Sequence, residues 1–102
     1  MQNYHEDERR TLTSIPYKDG ELKVIITKED CVLGNHYHKI KREEFTLIEG
    51  EAIITIDGTG TKMPCGEIFT IQPNQIHSFL ISKDSILMCI CSHTYNDKDD
   101  YR

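Results

Sequence analysis

Short β-branched segments bounded by turn residues recur along this chain, and almost nothing repeats every 3.6 residues as an amphipathic helix would. Residues 22–27 (LKVIIT) follow the turn Lys18-Asp19-Gly20 and read as a strand. Residues 31–33 open another, which Gly34-Asn35 interrupts and residues 36–40 resume. Residues 44–48 and 52–56 flank Glu49-Gly50-Glu51, a hairpin with glycine at its tip. Asp57-Gly58-Thr59-Gly60 forms the next turn, residues 61–64 lead into Cys65-Gly66, and residues 67–71 make a further strand. After the irregular Gln72-Pro73-Asn74-Gln75, residues 77–81 and 86–92 pair across residues 82–85. About eight strands in roughly seventy residues, with no linker between them, predict one all-β sandwich or barrel over residues 11–95. Residues 1–10 and the nearly all polar residues 96–102 (NDKDDYR) are expected to be loose tails, with residues 11–14 able to add an edge strand.

Composition removes several function classes. The longest apolar run, Ile86–Cys91, is six residues, too short for a membrane-spanning helix. The first thirty residues carry Glu6, Asp7, Glu8, Asp19 and Glu21 and no signal-like apolar stretch, so a cytoplasmic location is expected. Seventeen acidic against 12 basic residues give a net charge of −5, without the basic stripe that neutralises phosphates, so nucleic acid is not an expected partner. The cluster Lys39, Lys41 and Arg42 is followed at once by Glu43 and Glu44 and reads equally well as a solvated turn or as an anion site. Of the four cysteines, Cys89 and Cys91 lie inside ILMCIC, where reduced thiols serve as small buried hydrophobes; a Cys-x-Cys pair on one strand face can also ligate a metal, but no second cysteine pair stands at zinc-site spacing.

Candidate chemistry centres on histidine. His36 and His38 are two apart, and an extended segment sends both imidazoles to one face. Glu43 shares its face with Phe45 and Leu47 and is the charged member of an apolar set; a buried carboxylate needs a partner. His77 shares a face with Phe79 and Ile81 in the same way. Three neutral imidazoles and a carboxylate suit a divalent first-row metal and leave two of six octahedral positions open. His93 and His5 lie outside this set, the first expected to face solvent and the second in the N-terminal segment.

The run Gly34-Asn35-His36-Tyr37-His38, four residues, Glu43, six residues, Gly50 resembles the first motif of the cupin superfamily. After residues 51–65, Gly66, five residues, Gln72-Pro73-Asn74, two residues, His77 is similar to the second. The family's leading glycine falls on Asp30, its proline on Gln72 with Pro73 one place later, its second glycine on Asn74 and its closing asparagine on Ile81. Asparagine tolerates the left-handed turn that glycine would make there. The resemblance implies a double-stranded β-helix (jelly-roll) barrel with His36, His38, Glu43 and His77 as metal ligands. The six residues to Gly50 favour Glu43 over Glu44, since strand alternation lets only one point inward.

The same resemblance implies a small organic molecule as ligand or substrate, with dioxygenase-like or sugar-isomerase-like chemistry at iron, manganese, nickel, cobalt, copper or zinc. Residues 7–13 (DERRTLT) and His36-Tyr37-His38-Lys39 are also similar to motifs of sugar-nucleotide epimerase cupins, in which a histidine acts as base without metal. A third expectation is ligand binding without turnover. Tyr17 and Tyr37 are candidate proton donors, although Tyr37, between two inward histidines, should face outward, as should Lys39. Open sheet edges on so small a barrel predict a homodimer.

Overall fold

The segment ILMCIC forms strand β10 (Ile86–Cys91), with Leu87, Cys89 and Cys91 buried and Ile86, Met88 and Ile90 half-buried. This two-residue alternation decides which side chains meet the core. The structure is a computed structural model that describes residues 3–102. Before β10 come β1 (Asn3–Glu6), β2 (Arg10–Tyr17), β3 (Gly20–Thr27), β4 (Cys31–His36) and β5 (Glu43–Glu49). The remaining strands are β6 (Ala52–Ile56), β7 (Thr59–Lys62), β8 (Ile68–Ile71) and β9 (His77–Ile81).

All pairings are antiparallel. One sheet runs β1-β2-β3-β10-β5-β8 and the other β4-β9-β6-β7. The chain is the all-β jelly roll that the sequence predicts, with residues of both sheets filling one core. Leu33, Ile54, Phe79 and Ile81 come from the smaller sheet, and Phe45, Leu47, Ile71 and Leu87 from the larger. Leu47 and Leu87 are fully enclosed, and burying each such side chain contributes about 1.5–3 kcal/mol. The Phe45 and Phe79 rings, 4.6 Å apart and tilted by 54°, join the sheets directly beside the histidines.

Gly50 makes the turn between β5 and β6 at φ +101°, and an added Cβ would lie 2.8 Å from the Cα of Ser85. Both the backbone angle and the contact require glycine. Gly50→Ala is therefore expected to cost ~2 kcal/mol or more, read as a lower urea midpoint at unchanged m-value. An unshifted midpoint would show that the hairpin relaxes around the methyl group. The next turn is shorter than the expected four residues. Asp57 and Gly58 alone take positive φ (48° and 87°), and Thr59 already pairs with Ile56, as in a two-residue hairpin.

Neither end of the described chain is loose. Asn3–Glu6 pairs with residues 11–14, which places β2 inside its sheet and leaves β1 at the edge. Asp7 closes that hairpin by accepting the backbone N–H groups of Arg9 (2.9 Å) and Arg10 (3.1 Å). At the other end, Asn96 caps a 3-10 turn, Asp97–Asp99, by accepting the Lys98 N–H. Tyr101 then exchanges backbone hydrogen bonds with Tyr37 at 2.9 and 3.0 Å and stacks its ring on that of Tyr37.

Candidate metal centre

His36 ends β4 and His77 begins β9, and the two are paired across the strands. A bulge at Asn35 (φ 69°) shifts the register there and aims His36 inward beside its partner. Glu43 opens β5 on the opposing sheet, buried, whereas Glu44 is only half-buried. His38 arrives by a route the sequence reading did not anticipate. The strand stops at His36 instead of running on through residue 38, so period-two alternation cannot place His38.

Asp99 places it. The Asp99 carboxylate accepts the backbone N–H groups of Lys39 (2.8 Å), Ile40 (3.2 Å) and Lys41 (3.2 Å), fixing the loop after His38. The Asp99 carbonyl oxygen lies 2.6 Å from His38 Nδ1. Asp99 and its neighbour Asp100, absent from the sequence-based set, complete the surroundings. Two signals for them existed: an Asn96 cap ahead of a short turn, and an aromatic Tyr101 inside an otherwise charged segment.

All four residues named by the motif come together. One donor atom from each of His36, His38, Glu43 and His77 lies within 4.8 Å of all the others. A carbonyl oxygen can only accept, so His38, facing the Asp99 carbonyl, carries its proton on Nδ1. His77 does likewise, its Nδ1 lying 3.1 Å from the carbonyl oxygen of Gln75. In the neutral rings both Nε2 atoms are then bare acceptors, and both lie 3.3 Å from Glu43 Oε1, itself an acceptor. None of these three buried atoms has a hydrogen-bond partner among the described residues. Three lone pairs facing one another in a buried site fit a cation between them.

His36 sits at the rim of the cluster. Its Nδ1 is 3.1 Å from Asp100 Oδ1, close but poorly aligned, and both atoms are otherwise unpartnered. Burial and the neighbouring His77 lower its pKa to about 4 against the pull of Asp100, so the ring is neutral at pH 7, the form a metal requires. Burial works against the Glu43 carboxylate, and the charges of Lys41 and Lys23 favour it. Lys41 is a correction to the solvated-turn reading: it is buried, with Nζ 3.9 Å from Glu43 Oε2. Lys39 stays exposed, its ammonium over the Tyr101 ring.

The cluster opens into a cavity of about 550 Å³. Phe45 and Phe79 form apolar wall, and Arg9, Arg10 and Lys23 line the same cavity beside Glu21 and Asp100. The Nε of Arg10 is buried with no hydrogen-bond partner among the described residues, and lies 4.0 Å from Asp7 Oδ2. His5, given no role by the sequence reading, also lines this cavity, whereas His93 is exposed and Tyr37 is turned aside onto Tyr101.

A family model described as "Polysaccharide biosynthesis C-terminal domain" matches residues 5–96. The chain belongs to this family. No curated protein matches it. Among solved structures, the capsular polysaccharide assembling protein CapF from Staphylococcus aureus is similar with a TM-score of 0.84 at 21% identity, over 99% of this chain and 31% of that one. KdgF from Halomonas sp. gives 0.80 at 13% identity, over 94% of this chain and 89% of that one. Streptomyces PAC13 with uridine gives 0.70 at 13% identity, over 97% and 81%. These are cupin-fold proteins, and the likeness establishes a cupin-like fold for this family member. It spans about a third of the CapF chain.

Proposed function

We propose that this chain is a metal-dependent cupin acting on a small, sugar-derived molecule in polysaccharide construction, with a divalent transition metal held by His36, His38, Glu43 and His77. The observation that carries the reading is the convergence of His38 Nε2, His77 Nε2 and Glu43 Oε1, three buried acceptors without a donor among them. The family description and the capsular polysaccharide protein among the structural relatives support a carbohydrate over the substrates of a dioxygenase. A bound divalent ion would supply Lewis acidity toward a carbonyl or hydroxyl oxygen, which ring opening, epimerisation and isomerisation can each use.

The chain's own residues do the rest. Carbonyl oxygens of Gln75 and Asp99 fix two imidazoles in the ligating tautomer, and Phe45 and Phe79 keep water from the inner side of the site. Arg9, Arg10 and Lys23 favour a substrate that carries a carboxylate or phosphate. His38→Ala tests the reading. Purified without chelator, the variant is expected to hold about one equivalent of metal per chain less than the wild type. Equal metal in both would overturn the ligand set. Full turnover by a chelator-stripped protein would return the metal-free histidine-base mechanism.

A further inference from the structure

The histidine cluster uses one oxygen of Glu43. The other, Oε2, faces β10, where Cys89 Sγ lies 3.6 Å away and Cys91 Sγ 3.7 Å away. The two sulfurs are 3.4 Å apart. Cys89 and Cys91 are both almost fully buried, and their spacing of two puts them on one face of the strand. A tetrahedral ion with metal–sulfur bonds of about 2.3 Å and metal–oxygen bonds of about 2.0–2.2 Å needs ligand-to-ligand edges of roughly 3.5–3.8 Å. The sulfur–oxygen edges meet that range, and the sulfur–sulfur edge falls just short of it.

The charges also balance. Two thiolates with the carboxylates of Glu43 and Glu21 face the ammonium groups of Lys41 and Lys23, which lie 3.9 and 3.8 Å from those carboxylates respectively. That leaves two negative charges, the charge of one divalent cation. Without an ion, the Cys89 and Cys91 thiols donate weak S–H hydrogen bonds to Glu43 Oε2; as thiolates they turn the same three atoms into a ligand triangle.

We infer that Cys89, Cys91 and Glu43 Oε2 form a second, thiophilic site for a divalent cation such as Zn(II), with Glu43 bridging it to the histidine site. The bridge rests on the proposed histidine site; the sulfur–carboxylate triangle stands without it. Binding a divalent ion releases the two S–H protons to solvent as two metal–sulfur bonds form, with no change of oxidation state.

Cobalt(II) distinguishes the two sites because only thiolate ligation gives the strong ultraviolet sulfur-to-cobalt charge-transfer band. The experiment titrates the reduced, chelator-stripped full chain under nitrogen and measures retained cobalt by elemental analysis. The wild type is expected to bind two equivalents and show the band; Cys89→Ser/Cys91→Ser binds one and shows none. His36→Ala/His77→Ala keeps the band with one equivalent. A wild-type protein without the band, or a band that survives loss of Cys89 and Cys91, overturns the second site. A wild type with the band but only one equivalent upholds it and instead removes the histidine site.

Discussion

Glu43→Ala is expected to lose bound metal entirely and to destabilise the fold by about 3–5 kcal/mol, the cost of leaving a buried ion unpartnered. The carboxylate serves two neighbours at once. Its Oε1 completes the acceptor triangle with His38 and His77, and its Oε2 faces the Lys41 ammonium, which is itself buried. Alanine removes the only anionic ligand of the four and strands that ammonium in the core. Glu43→Gln separates the two effects. It keeps the volume and an oxygen but not the charge, so metal content should fall as in the alanine variant while more of the stability is kept. Elemental analysis and urea denaturation of both variants check this. Glu43→Ala at wild-type stability would show that Lys41 finds another partner or reaches solvent.

The second large effect belongs to a residue that touches no metal. Asp99→Ala removes a carboxylate that accepts three consecutive backbone N–H groups, from Lys39, Ile40 and Lys41. Hydrogen bonds to a charged group each contribute about 1.5–3 kcal/mol and are not additive within one cluster, so a loss of ~2–4 kcal/mol is expected. Metal affinity should fall about 10- to 100-fold, because the carbonyl that orients His38 belongs to the same residue and loses its anchor. Asp99→Asn keeps an acceptor oxygen and should recover part of both losses. A competition titration with a chelating dye reads the affinity. Unchanged affinity in a destabilised Asp99→Ala would confine the residue to a structural role.

The barrel was legible because its signals are local. In Ile86–Cys91 the alternation of six side chains states which face is buried, and the positive-φ positions at Gly50, Gly58, Gly66 and Asn74 mark turns by residue type alone. Three of the four proposed ligands were legible for the same reason, since His36, Glu43 and His77 sit at strand ends whose neighbours show the inward face. His38 joins the cluster by a route that strand alternation does not supply, because it lies in a loop beyond the strand.

What stayed hidden depends on contacts between residues about sixty positions apart. Nothing in DKDDYR is apolar enough to predict burial. Yet Asp99 is buried because three N–H groups of the 39–41 loop need an acceptor, and Tyr101 is held because Tyr37 offers both an edge for pairing and a ring face. Lys41 was read as solvated since its neighbours in sequence are charged. Its surroundings are set instead by Glu43, two residues on and facing inward. Polar residues that earn burial through partners leave no periodic trace.

The most direct test is a crystal structure of the zinc-soaked protein with diffraction recorded on both sides of the zinc absorption edge. The account predicts an anomalous peak about 2.0–2.2 Å from His38 Nε2, His77 Nε2, a Glu43 carboxylate oxygen and a ring nitrogen of His36. An empty histidine cluster at saturating zinc, with Glu43 hydrogen-bonded to protonated imidazoles instead, would contradict it.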